Sequence, residues 1–336
     1  MPGFIEWLAT PAGRVPRLSS TLTWADRLGA CKARWGIGRM SYIVPPGLYA
    51  IGAPTPESPV VVTANYKMTY DIVRRDLAGL NVWMLVLETY GINVWCAAGK
   101  GTFGTEELVR RVKASELARV VSHRRLNLPI LGAPGIAAHQ VASKCGFTVT
   151  YAAIYANDLP NFFNNGMVTT PAMRELKFTC YDRLVLIPVE LVMELKTLAV
   201  ISALVFLTCV AAGGLPAGLV ALGGYLGAAL SGIALAPLLL PWLPGRSFAV
   251  KGAVVGLFWT IGYYFLVGDN WPPLAIASAF FVLSAVSAYH SLNFTGCTTY
   301  TSHSGVKKEM RFGLPTMGVS IVLGVILLAV SRFTGC

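Results

Sequence analysis

Between residues 46 and 180 the apolar positions fall into short runs separated by turn residues and by stretches of helical period. Val60–Val61–Val62–Thr63 and the run from Val82 to Leu87 read as strands, each a brief apolar stretch next to turn-forming residues. Between them Thr69 reads as the N-cap of a helix through Leu77, ended at Gly79. After Gly91 turns the chain, Ile92 to Trp95 reads as a short strand segment. A helix then runs from about Thr105 to Val121, with Glu106 and Glu107 in its first turn. Leu128 to Leu131 reads as a strand, Ile136 to Cys145 as a helix closed by Gly146, and Phe147 to Ala152 as another strand. This alternation predicts an α/β domain, and the loops after several strands carry chemically interesting residues, where open α/β sheets bind ligands.

The pattern changes near residue 183. Thr197 to Gly245 is forty-nine residues without a charge. One membrane span needs roughly 20 residues, so this stretch holds two, divided at Gly213–Gly214–Leu215–Pro216. The predicted spans are 191–212, 215–240, 248–267, 273–289 and 314–330, an all-α transmembrane domain of five helices over residues 181–336. With the α/β domain (46–180) on the cytoplasmic side, Arg246, Lys251, Lys307, Lys308 and Arg311 lie inside, and only Arg332 opposes the positive-inside rule. Met1 to Thr10 lacks the basic head and long apolar run of a signal peptide, which also favours a cytoplasmic α/β domain in a multi-pass inner-membrane protein. Residues 1–45 form an N-terminal extension rich in Trp, Arg and Gly; Trp7, Trp24 and Trp35 are expected to pack on the domain.

Composition supports this division. The chain is 54% hydrophobic and 13% charged, too apolar for a wholly soluble protein. Residues 1–180 carry 19 Lys/Arg against 11 Asp/Glu, a net +8. The basic residues are scattered and no aromatic–basic recognition motif accompanies them, so an anionic membrane surface or an acidic protein fits better than nucleic acid. Seven cysteines without regular spacing make no disulfide framework, and the absence of CxxC leaves no local zinc knuckle or ferredoxin-type cluster.

One cysteine stands in an unusual setting. Asn93–Val94–Trp95–Cys96–Ala97–Ala98–Gly99–Lys100 places Cys96 at the seam between an apolar strand and a helix, where the positive end of the helix dipole favours the thiolate. The same loop contains Gly99–Lys100–Gly101–Thr102–Phe103–Gly104, a GxGxxG that admits a nucleotide-binding reading. No acid ends the following strand and GxxxxGK[ST] fails, so the motif is incomplete. His123 can complement a helix dipole, and His139 has no second ligand at metal spacing. Glu190, Glu194 and Lys196 are explained by an interfacial helix start, and His290, Cys297 and His303 by an ordinary solvated loop.

The octapeptide around Cys96 resembles the signature of the mercury-methylating corrinoid protein family, whose soluble domain is similar to the corrinoid domain of the corrinoid iron-sulfur protein large subunit. Gly47–Leu48–Tyr49, Pro54–Thr55–Pro56–Glu57–Ser58–Pro59, Val62–Thr63–Ala64–Asn65–Tyr66–Lys67 and Leu131–Gly132–Ala133–Pro134–Gly135 extend the likeness over about residues 46–336. The resemblance implies a Rossmann-like corrinoid-binding domain. It implies a cobalamin-type cofactor with Cys96 as the cobalt ligand, and transfer of its methyl group to mercury(II). A thiolate opposite the methyl group eases its departure as a carbanion equivalent, which a soft electrophile accepts. Gly91, Ile92, Asn93, Val94 and Trp95 would wall the corrin ring. The small residues Ala97, Ala98 and Gly99 would let the ring approach the backbone. Thr63 and Thr69 would bond its periphery, strand packing and helix capping being their ordinary alternatives, and Pro134 and Gly135 would border the nucleotide tail. There is no Asp-x-His-x-x-Gly by which many corrinoid proteins offer a histidine to cobalt. Returning cobalt to its nucleophilic state takes two electrons, and with no cluster motif here a separate ferredoxin-like iron-sulfur partner is implied, as is a methyl-folate-dependent methyl donor enzyme. Two alternatives stay open: a membrane-bound corrinoid methyl carrier serving an acetyl-CoA-type pathway, and a membrane-tethered nucleotide-binding sensor.

Overall fold

A computed structural model describes residues 1–298 and 303–334. The chain divides into two units, Met1–Leu176 and Lys177–Cys336. The first is built on seven strands: β1 (Phe4–Thr10), β2 (Gly13–Leu18), β3 (Gly47–Ile51), β4 (Val60–Ala64), β5 (Val82–Leu87), β6 (Arg125–Leu128) and β7 (Thr148–Tyr151). Their order across the sheet is β1-β2-β3-β5-β4-β6-β7, with β5, β4, β6 and β7 parallel and β3 antiparallel to β5. Every residue of β4 and β5 is buried, as expected of near-continuous apolar runs when helices cover both faces.

The helices of this unit are α1 (Trp24–Arg34), α2 (Lys67–Asp76), α3 (Val94–Lys100), α4 (Thr105–Ala114), α5 (Leu117–Val120), α6 (Ala138–Cys145) and α7 (Leu159–Asn164). Because side chains alternate along a strand, β4 and β5 feed two cores. Val60, Val62, Leu85 and Leu87 meet Leu108 and Val112 of α4 and Val141 of α6. Val61, Met84 and Val86 meet Tyr70, Val73 and Leu77 of α2 and Phe162 of α7. The chain therefore leaves β4 towards one face and leaves its neighbour β6 towards the other. That divergence opens a crevice at the carboxyl ends of the two strands, the topological switch point where sheets of this kind take ligands.

Several predicted boundaries need correction. Ile92 to Trp95 is not a strand: the Asn93 side chain accepts from the Cys96 amide at 2.9 Å and starts α3 instead. Thr69 is not an N-cap, because α2 begins at Lys67, whose amide donates to the Tyr42 carbonyl at 2.9 Å. The helix predicted over 105–121 breaks at Ser115–Glu116, where Glu116 takes φ of 46°. The strand predicted over Leu128–Leu131 is shifted to β6, stopped by Pro129 and followed by a 3-10 turn over Ile130–Gly135.

The N-terminal extension forms regular structure of its own. It supplies a hairpin, β1–β2, and α1, anchored to α2 by a buried group of four charges. Asp26 of α1 accepts from Lys67 at 2.6 Å and Arg74 at 2.7 Å, and Asp71 accepts from the same two residues at 2.5 and 2.8 Å. Arg74, fully buried, spends a further nitrogen on the Ser19 carbonyl at 2.7 Å. Trp7, Trp24 and Trp35 remain exposed, contrary to the expected packing, because the ionic cluster rather than the indoles carries the contact.

The second unit is helical: α8 (Cys180–Leu184), α9 (Ile187–Leu230), a π-helical turn over Ser231–Leu235, α10 (Ala236–Leu239), α11 (Phe248–Val267), α12 (Pro273–Asn293) and α13 (His303–Thr334). Among the described residues four helical segments are long and apolar enough to cross a membrane: Cys180–Leu239, Phe248–Val267, Pro273–Asn293 and Ser304–Thr334. Gly214, inside the first, leaves the helical region with φ of 78° and ψ of 179°, at the position expected to divide two spans. Small residues let α11 and α12 touch: a Cβ on Gly252 would lie 2.5 Å from the Ser291 Cβ, and one on Gly256 2.6 Å from the Ser287 Cβ. Glu309 of α13 accepts from the Phe248 amide at 2.8 Å and so places a negative charge at the start of α11.

Candidate functional site

Strands β4 and β6 share one registered pair, Val61 with Asn127, and beyond it a cavity of about 300 Å³ opens. Its walls come from the ends of β4 and β6, from α2, from the start of α3 and from the segment after β7. Thr63, Thr69, Asn93, Val94 and Trp95 all line it, so five of the residues singled out in the sequence meet in one place. Gly91, Ile92, Cys96, Ala97, Ala98 and Gly99 are not in its wall. No charged side chain lines it; Val61, Val62, Ile72, Val73, Leu128 and Leu159 make it predominantly apolar.

Two buried oxygens in this wall have no hydrogen-bond partner, Thr63 Oγ1 and Asn127 Oδ1. Thr63 is 1% exposed and Asn127 2% exposed, so water outside the protein does not satisfy them. Asn127 is held in one orientation because its Nδ2 donates to the Val60 carbonyl at 3.0 Å, leaving Oδ1 free. The sequence reading missed Asn127, since it started the strand at Leu128, three residues later than β6 begins. A polar residue inside an otherwise apolar strand, Leu126–Asn127–Leu128, was the available signal.

The loop that carries α3 is fixed from beneath. Asn65, fully buried, accepts from the Thr89 amide at 3.0 Å and donates to Glu88 at 2.6 Å. The Thr89 hydroxyl donates to the Ile92 carbonyl at 2.7 Å. Glu107 of α4 accepts from the Glu88 amide at 2.8 Å. Burial pushes the Glu107 carboxyl up, but that amide together with Arg110 and Arg111 holds it below the ordinary glutamate value. Gly91 completes the turn with φ of 71°, and a Cβ there would lie 2.8 Å from the Ile43 side chain.

Cys96 is exposed and free, and the neighbouring Trp95, 41% exposed, connects it to the cavity rim. Ala97 and Ala98 are buried, and the turn at Gly135 passes close to Ala98: a Cβ on Gly135 would meet the Phe103 carbonyl at 2.1 Å and the Ala98 Cα at 3.1 Å. Gly99 and Pro134 are exposed. Gly101 ends α3 and Gly104 caps α4, so the GxGxxG segment is used as a helix–helix joint.

His123 ties the start of β6 to the segment before β4, its Nδ1 accepting from the Arg125 amide at 3.2 Å and its Nε2 lying 2.9 Å from the Ser58 carbonyl. His139 is exposed on α6. In the helical unit, Glu194 accepts from Asn293 at 3.1 Å and lies 3.8 Å from the His290 Nδ1. The side chains of Cys297 and His303 lie outside the described residues. Among the described residues no three His, Cys, Asp or Glu side chains gather to hold a metal ion.

The first unit is thus an α/β domain whose crevice lies at the switch point of a largely parallel sheet. A family model described as the CO dehydrogenase/acetyl-CoA synthase delta subunit matches residues 38–153, about a third of the chain. Among curated proteins, the acetyl-CoA decarbonylase/synthase complex subunit gamma of Methanopyrus kandleri is 34% identical over 121 residues, 35% of this chain and 26% of that protein. The subunit gamma of Archaeoglobus fulgidus is 37% identical over 92 residues, 27% of this chain and 20% of its own length. That of Methanocaldococcus jannaschii is 32% identical over 129 residues, with 38% and 26% covered. The chain spans about a quarter of the length of these relatives. The family match takes in β3 to β7, α2 to α6 and Cys96, and ends before the helical unit.

Proposed function

We propose that the first unit holds a corrinoid at the crevice and that the chain is a corrinoid-dependent methyltransferase acting on mercury(II). The observation that carries this reading is a neutral, apolar cavity at a switch point, one residue along α3 from an exposed thiol. A corrinoid is a flat, largely apolar ring fringed with amides. An uncharged, largely apolar wall suits a ring with a neutral fringe. The residues present therefore fit the group.

When bound, the corrinoid supplies a cobalt centre that accepts a methyl group and gives it up. Cys96 would be the thiolate ligand to that metal, a softer and more electron-rich donor than a serine or histidine in its place. Asn93 fixes the start of α3 through the Cys96 amide, so the backbone bearing the thiol is set before any ligand arrives. Asn65, Thr89 and Gly91 hold the loop beneath, and Trp95 and Val94 close the rim. Thr63 and Thr69 would bond the ring's periphery. The net +8 of residues 1–180 favours approach of an acidic, ferredoxin-like iron-sulfur electron donor, and a methyl-folate-dependent enzyme would supply the methyl group. The helical unit would anchor the assembly in the cytoplasmic membrane with the α/β domain on the cytoplasmic side.

A second reading has its own support. The relatives are named as acetyl-CoA decarbonylase/synthase subunits, which favours a membrane-bound corrinoid methyl carrier for an acetyl-CoA-type pathway. The nucleotide-binding alternative has less: no cationic side chain lines the cavity to meet a phosphate. The whole chain reconstituted with methylcobalamin, freed of unbound cofactor and then offered mercury(II), tests the choice. Methylmercury formed by the wild type and lost in Cys96→Ala supports the first reading. Methyl transfer to an acetyl-CoA-forming partner with none to mercury(II) replaces it with the second. A protein that takes up no corrinoid removes both.

A further inference from the structure

Asp26 and Ala33 turn one side of α1 inward, where both are buried and Asp26 meets Lys67 and Arg74. The opposite side is apolar and uncovered. Trp24, Leu28 and Cys31 of α1 and Trp35 at its C-cap are spaced i, i+4, i+7 and i+11. At 3.6 residues per turn that places them within an arc of about 60°. All four are exposed, Trp24 at 77%, Leu28 at 42% and Trp35 at 45%. Cations border this row on both sides, Arg27 and Arg34 on one and Lys32 on the other. Among the described residues none of these three makes an ion pair. The one acid of α1, Asp26, is committed inward, so the outer face carries positive charge alone.

An apolar row with unpaired cations along both edges matches the boundary between phospholipid headgroups and acyl chains. Indoles settle at that level, and long basic side chains beside them reach back to the phosphates. An acidic protein would match the cations, but it would also need an apolar groove between two acidic rims. A lipid surface offers both layers without a special fit, and this chain carries four segments long and apolar enough to cross a membrane. We infer that the outer face of α1 docks on an anionic phospholipid surface. Trp24, Leu28, Cys31 and Trp35 lie at the acyl boundary, and Arg27, Lys32 and Arg34 meet the headgroup phosphates. Each such cation is worth roughly fivefold in binding, so three together favour anionic over neutral lipid on the order of a hundredfold. The inference does not depend on what the crevice of the first unit binds.

The test uses the whole chain in nanodiscs of phosphatidylcholine, either alone or mixed with phosphatidylglycerol. An uncharged, water-soluble maleimide is added, and its reaction with Cys31 is followed by peptide mass spectrometry. Cys96, an exposed thiol of the same unit, is the reference. In the anionic discs Cys31 should react about tenfold more slowly, relative to Cys96, than in the neutral discs. High salt should remove the difference, because it screens the attraction. Arg27→Gln, Lys32→Gln and Arg34→Gln together should also remove it, with thermal unfolding as the check that the fold is kept. Trp24→Ser with Trp35→Ser, which leaves the cations in place, should weaken the protection as well. Equal reaction of Cys31 in the two discs overturns the inference, as does protection that the triple variant retains. Protection of Cys31 in native membranes that vanishes in anionic discs assigns the face to an acidic protein and overturns it too. A chain that enters neither kind of disc overturns this inference together with the membrane anchor. The first three of these outcomes leave the corrinoid reading standing.

Discussion

Removing Asp26 should detach the N-terminal extension from the sheet. Its carboxylate receives Lys67 at 2.6 Å, Arg74 at 2.7 Å and the Thr23 amide at 3.0 Å, and its side chain is 8% exposed. Two aspartates and two cations cancel in this cluster, so Asp26→Ala leaves one positive charge uncompensated where Arg74 is fully buried. Breaking a buried ionic group by deleting one partner costs about 3–5 kcal/mol. In the native protein, amide exchange from β1, β2 and α1 should therefore accelerate by roughly two to three and a half orders of magnitude, 1.4 kcal/mol being about tenfold. The same loosening should reach the loop at Gly91, against which Ile43 packs, while peptides of α11 and α12 serve as the unaffected reference. Hydrogen exchange with mass spectrometry on the full chain in micelles reads all of these segments together. The sign of the pH dependence is fixed as well. Burial pushes the Asp26 carboxyl up, but Lys67 and Thr23 outweigh it and hold it well below its ordinary value of 3.8. Its contribution is full above that value and is lost as pH falls further, so the extension should loosen in acid before the sheet does. An Asp26→Ala protein whose amino-terminal peptides exchange within threefold of wild type refutes the reasoning.

Other consequences follow from single contacts. Gly91→Ala puts a Cβ at φ of 71° and 2.8 Å from Ile43, so it should destabilise the first unit by at least about 1–2 kcal/mol, seen as a lowered midpoint in urea. Glu107→Gln should remove acid sensitivity from the α3 loop: the carboxylate, held below the ordinary glutamate value, contributes stability that is present above that value and lost as pH falls through the lowered one. Exchange at Glu88 between pH 3 and 6 checks it, and an unchanged profile counts against the assigned bond. Gly256→Leu drives a side chain into Ser287 of α12, and should lower the melting temperature of the helical unit while leaving cobalamin binding by the first unit intact.

The central strands could be read from the chain because β5 is a continuous apolar run and β4 is one but for Thr63, so that their burial depends on composition more than on context. That was enough to bring Thr63, Asn93, Val94 and Trp95 to one crevice. What escaped has physical causes. Ile92 to Trp95 has the β-branched and aromatic content of a strand, yet one side-chain bond from Asn93 starts a helix there. Thr69 has the chemistry of a cap, but Tyr42, twenty-seven residues earlier, supplies the carbonyl that sets the start of α2. The i,i+3 and i,i+4 spacing of Lys67, Asp71 and Arg74 marks an ordinary ion-paired helix face; only the fold brings Asp26 to them and turns that face inward. The close approach of the turn at Gly135 to the Ala98 backbone is likewise visible only in the fold. The acceptor at Asn127 needs the Val60 bond to be visible at all.

The central claim is a sulfur atom from Cys96 on the cobalt of a corrinoid held by the first unit. Cobalt K-edge X-ray absorption of the full chain reconstituted with cobalamin measures that bond without reference to any acceptor. The account predicts one sulfur scatterer in the first shell of the wild type, replaced by a light atom in Cys96→Ala with cobalt still bound. A wild-type spectrum with only nitrogen and oxygen neighbours, or one that Cys96→Ala leaves unaltered, contradicts it.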